Sequence, residues 1–416
     1  MRPDDPPHGA QSAPWGPRHS GATSAERGPH RACCARWGAI PGVFERGATQ
    51  PAGMQRRPNA AGVSPRAVKP SVTVADVTER NLIARIERRL PPRPPWVIVG
   101  IGDDAAVVEP ERNRVEVLTV DALVEGVHFD RAFVPADAIG HRALAVNLSD
   151  LAAMGAAPRL ALVSMALPAV LPLSDFDGIV DGIASLAART RLTVVGGNLT
   201  RSTGPLVIDI TAMGTVKRRQ ALTRGGARSG DELYVSGTIG SAMAGRLILT
   251  ERQTTGDSRP TTDDARLAAD DWRLVTAYLR PQPRLRLGTL LARNRAASAC
   301  IDLSDGLSDA VYRVAESSGV GALIDADALP IDPRARALFD SRGLDPVDQA
   351  ATAGDDYELL VAVRPRVRSR LSAAMRHGDA RLTRIGVCTA DRAVVMRRGG
   401  AETVLPRGGY AHFRPA

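Results

Sequence analysis

Ala299-Cys-Ile-Asp-Leu-Ser-Asp-Gly-Leu-Ser-Asp309 is the stretch whose reading decides the fold. Cys300, Ile301 and Leu303 read as the end of a buried strand. Leu307, Val311, Val314 and Ala315 then recur at helical spacing, so a strand runs into a helix at Asp305-Gly306. Asp302, Ser304 and Asp305 crowd that junction. Carboxylates at such a point hold a hard divalent cation, and the unpaired N–H groups and dipole of a helix start favour a phosphate. Taken alone, Asp305 reads as a helix N-cap. What points to a site is that similar acidic clusters recur far upstream.

Working outward, strands alternate with helices on both sides. Apolar runs predict strands at 96–100, from Val115 to Val120 ending at Asp121, and at 159–167, 192–195 and 206–216. Helices are expected at about 80–90, opened by a capping box of Asp76 and Glu79, and at 136–154 and 174–189. Arg224-Gly-Gly-Ala-Arg-Ser-Gly230 reads as a hinge. Beyond it come strand Glu232–Ser236, helices near 240–250, 270–280 and 284–293, a polar loop at about 252–268, and strands near 320–325, 357–363 and 382–388. The alternation predicts an α/β (α+β) protein of two domains.

Composition limits the partners. The net charge of +9 is concentrated in residues 1–70, which hold ten Lys/Arg against four Asp/Glu and leave only +3 for the remainder. The body carries no basic stripe interleaved with aromatics, so no nucleic-acid partner is expected. Residues 1–70 also contain eleven prolines and no sustained periodicity, which predicts a disordered Pro/Arg/Gly-rich extension. A targeting segment and a misassigned start codon are both open readings of it. No apolar run is long enough for a bilayer and no signal-peptide pattern is present, so a soluble, cytoplasmic protein with no membrane partner is expected. Cys33, Cys34, Cys300 and Cys388 have neither CxxC nor zinc spacing and read as ordinary reduced thiols.

Four acidic clusters stand out: Gly102-Asp-Asp104, Thr119-Val-Asp121, Asn147-Leu-Ser-Asp150 and Asp302-Leu-Ser-Asp305. Together they point to several hard cations on oxygen ligands, for which Mg²⁺ is the natural choice. His128, His141, His377 and His412 show no zinc-type spacing. After residue 70 the only lysine is Lys217, and neither a P-loop nor a kinase strand lysine exists. Phosphate charge must then be met by cations, arginine, backbone N–H groups and helix ends. Candidates are Gly196-Gly-Asn198, Arg201, Arg224 and the helix after Ser304. No nucleophile–base pair appears, which suits an acceptor that is already an anion.

The ordered set GIGDDAAVV (100–108), TVDALVEGVHF (119–129), AVNLSDLAAMGAAP (145–158), VVGGNLTR (194–201), ALTRGGARSGDELYVSGTIG (221–240), LRPQPR (279–284), IDLSDGLSDA (301–310) and AGDDYELL (353–360) resembles the thiamine-monophosphate kinase family. That family lies in the superfamily of aminoimidazole ribonucleotide synthetase and selenophosphate synthetase. The resemblance implies an aminoimidazole ribonucleotide synthetase-like architecture. An N-terminal metal- and ATP-binding domain at 71–226, whose mixed sheet pairs in a homodimer, would precede a C-terminal α/β domain at 227–416. It implies ATP-dependent phosphorylation of thiamine monophosphate to thiamine diphosphate, by direct in-line transfer with several Mg²⁺ ions. By the same resemblance the metal ligands are Asp104, Thr119, Val120 (through its carbonyl), Asp121, Asp150, Asn198, Asp302 and Asp305. ATP would meet Gly197, Asn198, Arg224 and Ser304, and the substrate would meet His128, Asp355 and Tyr410. Departures from the family pattern fall at Val120 (often Ser or Thr), Asn198 (often Asp), Asp355 (usually Glu) and Tyr410 (often Trp). The rival expectation is a related ATP-using synthetase of the same superfamily that acts on another small molecule.

Overall fold

The computed structural model describes residues 71–254 and 269–410, all within one compact unit that starts at Val68. The expectations for residues 1–70, and for most of the 252–268 loop, lie outside the described residues. The first half runs α1 (Glu79–Arg89), β1 (Val97–Val99), β2 (Val107–Val108), β3 (Arg114–Val124), α2 (Ala136–Ala153), β4 (Ala157–Pro168), α3 (Leu173–Thr190), β5 (Thr193–Ser202) and β6 (Val207–Lys217). Strands β3, β6, β4 and β5 form a mixed sheet in that order, with only the β4–β5 pair parallel.

Alternation along β3 sorts its side chains between two environments. Val115, Val117 and Leu123 join the core under the helices. Leu118 and Val120, 66% and 58% exposed, stand on the opposite face. Helix α2 is apolar around nearly its whole circumference because it is buried around nearly its whole circumference. It packs on β3 and β6, on α3, and on α6 and β8 of the second half. Glycine permits the α2–α3 approach: a Cβ on Gly140 would stand 1.9 Å from the Ile179 carbonyl oxygen, and one on Gly182 2.0 Å from that of Asp137.

The second half runs β7 (Glu232–Ser236), α4 (Ser241–Thr254), α5 (Ala269–Leu279), α6 (Leu285–Asn294), β8 (Ala299–Asp302), α7 (Leu307–Ser318), β9 (Gly321–Asp325), α8 (Pro333–Ser341), α9 (Pro346–Thr352), β10 (Leu359–Val363), α10 (Arg368–His377), β11 (Leu382–Thr389), β12 (Val394–Arg398) and β13 (Ala401–Val404). Its seven strands are ordered β13-β12-β9-β11-β7-β10-β8, with β12–β9 the parallel pair. One apolar cluster gathers α7 and α9, and another gathers α6 and α10. The α/β (α+β) class with mixed sheets is the one the sequence predicts.

Local differences have physical reasons. Strand β3 continues to Val124, so Asp121 lies inside a strand and not at its end; pairing with β6 as far as Val207 extends it. Strand β5 continues through Gly196-Gly197-Asn198 because pairing with β4 overrides the weak strand preference of glycine. Asp76 does not open α1. Its carboxylate accepts the Thr73 N–H at 2.8 Å, and Thr78 caps the helix through the Asn81 N–H at 3.3 Å. The β12–β13 hairpin, absent from the sequence reading, turns on Gly399 and Gly400, both at positive φ.

Candidate active site

Two chain-distant elements meet along α2. Thr119 and Asp121 point from β3 toward the helix, and the Thr119 hydroxyl donates to Asp150 near the helix's C-terminal end. One residue earlier, Ser149 Oγ donates to Asp302 Oδ2 at 2.8 Å, a contact between residues 153 positions apart. Asp302 is the last residue of β8 and is buried. The turn that follows carries Ser304 and Asp305 into α7. Gly306, not Asp305, occupies the N-cap position of α7, with φ 106° and no side-chain capping bond.

Burial dominates the electrostatics of this group, and mutual repulsion adds to it at Asp121 and Asp302. The Asp121 carboxyl is pushed up to about 7, first by burial and then by Asp150, Asp305 and Asp209. Burial followed by Asp150 drives Asp302 upward as well. Burial also raises Asp150, against the hydrogen bond from Thr119 and the charge of Arg224. Arg224 lowers Asp302 too, and Arg313 comes within 3.6 Å of Asp305. At Asp150 and Asp302 the net direction is still upward, so burial, joined at Asp302 by the neighbouring carboxylates, outweighs Arg224.

The donor chemistry fits a hard divalent ion: hydroxyl and carboxylate oxygens, with no imidazole or thiolate among them. Among the described residues no three or more His, Cys, Asp or Glu side chains are grouped so that they alone could hold a metal ion. Mg²⁺ does not need one, because it commonly keeps waters and phosphate oxygens and takes one or two carboxylates from the protein.

A second group of residues borders this one. The Asp355 N–H donates to the Ser304 carbonyl at 2.9 Å, the Tyr357 N–H to that of Leu303 at 3.0 Å, and the Tyr410 N–H to that of Asp305 at 3.2 Å. The loops at 353–357 and 408–410 are thus both fastened to the Asp302–Asp305 turn. Tyr410 faces His128, with ring centroids 6.3 Å apart and a tilt of 56°. His128 is held from below, where its Nδ1 accepts the Val124 N–H at 3.0 Å. An imidazole, a phenol and a carboxylate therefore adjoin the acidic group, a suitable lining for a ligand with an aromatic cation and a phosphate.

Other expected residues stand apart. Asn198 pairs with Ser164, whose strand neighbours Val163 and Met165 enter the helix-side core, so Asn198 lies on the sheet face away from α2. Val120 shares that face. Asp104 sits in the exposed turn between β1 and β2, where its N–H donates to Asp103 Oδ1 at 2.9 Å. Gly197 lies so close to β4 that a Cβ would stand 1.8 Å from the Val163 carbonyl oxygen. Arg201 lines a separate cavity of about 350 Å³ with Val74, Leu82 and Leu167.

Sequence reasoning passed over Asp209, Ser149 and Arg142. Asp209 is a lone acid in a strand. Ser149 sits inside a quoted cluster, but only its neighbour Asp150 was singled out. Arg142 is a cation within the mainly apolar run 138–146 of α2, a signal legible in the sequence.

Residues 102–216 match the family model of the AIR synthase related protein, N-terminal domain, and residues 228–398 match that of its C-terminal domain. The thiamine-monophosphate kinase of Escherichia coli O157:H7 is 37% identical over 337 residues, which is 80% of this chain and 98% of that one. Among solved structures, the thiamine-monophosphate kinase from Stenotrophomonas maltophilia K279a has 39% identity and a TM-score of 0.67, covering 77% of this chain and 96% of that chain. AaThiL complexed with AMPPCP and TMP has 30% identity and a TM-score of 0.63, covering 82% and 99%. With both halves matched, in order and nearly to the full length of these relatives, the chain belongs to the AIR synthase related family and, within it, to the thiamine-monophosphate kinases.

Proposed function

We propose that this chain phosphorylates thiamine monophosphate to thiamine diphosphate at the expense of ATP, at the junction of β3, α2 and β8. The observation that carries the reading is the buried group Asp121, Asp150 and Asp302, with Asp305 at its edge, beside His128, Asp355 and Tyr410. Those four carboxylates, with Thr119 and the Val120 carbonyl, would hold Mg²⁺. Mg²⁺ when bound offsets the negative charge that a triphosphate and an acceptor phosphate bring together. The protein's own part is alignment: His128, Asp355 and Tyr410 seat the thiamine moiety, and Arg224, Ser304 and the start of α7 meet phosphate oxygens. The acceptor phosphate is already an anion, so in-line attack on the γ-phosphoryl group requires no general base. Asp104 and Asn198 would be further metal ligands, and Gly197 and Asn198, the latter on the sheet face away from α2, would meet ATP.

Two copies would pair through the exposed face of β3 and β4, where Leu118, Val120 and Leu162 stand open to solvent. Residues 71–226 would form the domain that pairs, and 227–416 the second domain. No helix among the described residues is long and apolar enough to cross a membrane. The enzyme would act in the cytoplasm, where ATP is supplied.

Purified protein given ATP, Mg²⁺ and thiamine monophosphate is expected to release ADP and thiamine diphosphate in equal amounts, read by chromatography. ADP release that ignores thiamine monophosphate would overturn the reading. Light scattering of wild type and Leu118→Glu tests the pairing. A dimer that becomes a monomer supports it, and a wild-type monomer rejects it.

A further inference from the structure

Arg142 does something that a core residue is not needed for. It projects from α2 and is 2% exposed, yet it carries a full charge. Its Nη2 donates to Asp355 Oδ1 at 2.8 Å, across 213 positions of sequence. Its Nη1 donates to the Tyr278 carbonyl, and its guanidinium lies 4.4 Å from the centre of the Tyr278 ring. Its Nε is buried without a hydrogen-bond partner. A buried cation with one donor unmet is a poor device for stability, since apolar residues of the same volume often serve as well.

The carboxylate it holds is unusual too. Asp355 has φ 72° and Tyr357 φ 50°, both in the left-handed region that side chains other than glycine seldom occupy. Strain of this kind persists where the surroundings over-determine a conformation, and it gathers at ligand sites. Here the determinants are the two N–H bonds to Ser304 and Leu303, the Arg142 bond, and the Tyr357 hydroxyl, which donates to Asp355 Oδ1 at 3.2 Å. Both side-chain donors converge on Oδ1. The Asp355 side chain keeps 31% of its exposure, and Oδ2 has no protein donor among the described residues.

We infer that Arg142, assisted by Tyr357, is a positioning residue that fixes the Asp355 carboxylate so that Oδ2 is presented to an N–H donor of the substrate, of the kind an aminopyrimidine carries. The inference rests on Asp355 being a substrate contact, as proposed above. Arg142 does not touch the reacting phosphates. It acts through Asp355, and because its helix also carries Ser149 and Asp150, one rigid element sets both the ring-binding carboxylate and the acidic group.

The test is steady-state kinetics of the full chain, varying each substrate in turn. Arg142→Met should raise KM for thiamine monophosphate about tenfold while KM for ATP and kcat stay within about twofold, the pattern of lost uniform binding. Arg142→Lys should recover part of the loss. Tyr357→Phe removes a single hydroxyl and should raise the same KM about threefold, which keeps the test open if Arg142→Met fails to fold. In an Asp355→Ala background neither change should matter further. If Asp355→Ala itself leaves KM for thiamine monophosphate unchanged, the substrate-contact reading fails and the inference with it. If Asp355→Ala raises that KM but Tyr357→Phe and Arg142→Lys do not, the positioning inference alone is wrong. Parallel shifts in both KM values and in kcat would also reject it.

Discussion

Asp355, Asp356 and Glu358 each own a partner, whereas Asp121, Asp150 and Asp302 have hydroxyls, the charge of Arg224 and one another. Asp355 takes Arg142. Asp356 accepts the Gly240 N–H at 2.8 Å and the Ala242 N–H at 3.3 Å, and so caps α4 from a distant part of the chain. Glu358 receives both arms of the Arg284 fork, with its Nε at 2.7 Å, and the Ser236 hydroxyl. Only at Asp355 does an oxygen remain open. The two groups border each other through the Ser304 and Leu303 carbonyls, so the contrast does not come from position in the fold. A carboxylate with its own donor fixes structure. Buried carboxylates that face one another without a charged donor of their own are stable as a charged group only when something positive arrives.

The largest expected effect breaks the contrast on its repulsive side. Asp121→Asn or Asp302→Asn should lower kcat/KM about a thousandfold or more, since under the proposed function either change removes a carboxylate of the Mg²⁺ site. The same variants should melt at or above the wild-type temperature in metal-free buffer, because a repelling charge is gone. Thermal denaturation with and without a chelator checks this, and a large destabilisation would mean these acids are structural. On the partnered side, Glu358→Gln should destabilise by about 3 kcal/mol, because it leaves Arg284 in a largely buried site without its counter-charge. Denaturant titration measures that loss, and KM for thiamine monophosphate should hold in the folded fraction. The smallest effect falls at Asp356→Ala, about 1 kcal/mol for a lost cap, with Asp356→Asn recovering part of it.

The alternation of elements and the acidic clusters were legible because hydrophobic period and residue type are local signals. Partnership was not. Gly102-Asp-Asp104 and Gly354-Asp-Asp356 are the same tripeptide, yet the first lies in an exposed turn and the second supplies the carboxylate that Arg142 holds and a helix cap. What separates them is Arg142 and the start of α4, each more than a hundred positions from Asp355 or Asp356. No window of sequence contains both members of either pair. Side-chain direction on the sheet was equally hidden: Val120 and Asp121 are neighbours in every motif but stand on opposite faces of β3, and which face meets α2 is fixed by pairing with β6. The extent of strand β5 was hidden for a related reason, since its glycines end the apolar run after Val195 while their closeness to β4 continues the strand.

The central claim is that the repelling carboxylates await a cation and the partnered ones do not. The most direct measurement is the melting temperature of wild type, Asp121→Asn and Glu358→Gln as Mg²⁺ is titrated without nucleotide. The account predicts that Mg²⁺ stabilises wild type and Glu358→Gln by similar increments, despite the lower starting point of the latter, and leaves Asp121→Asn nearly unmoved. An equal rise in all three, or a rise lost only in Glu358→Gln, would contradict it.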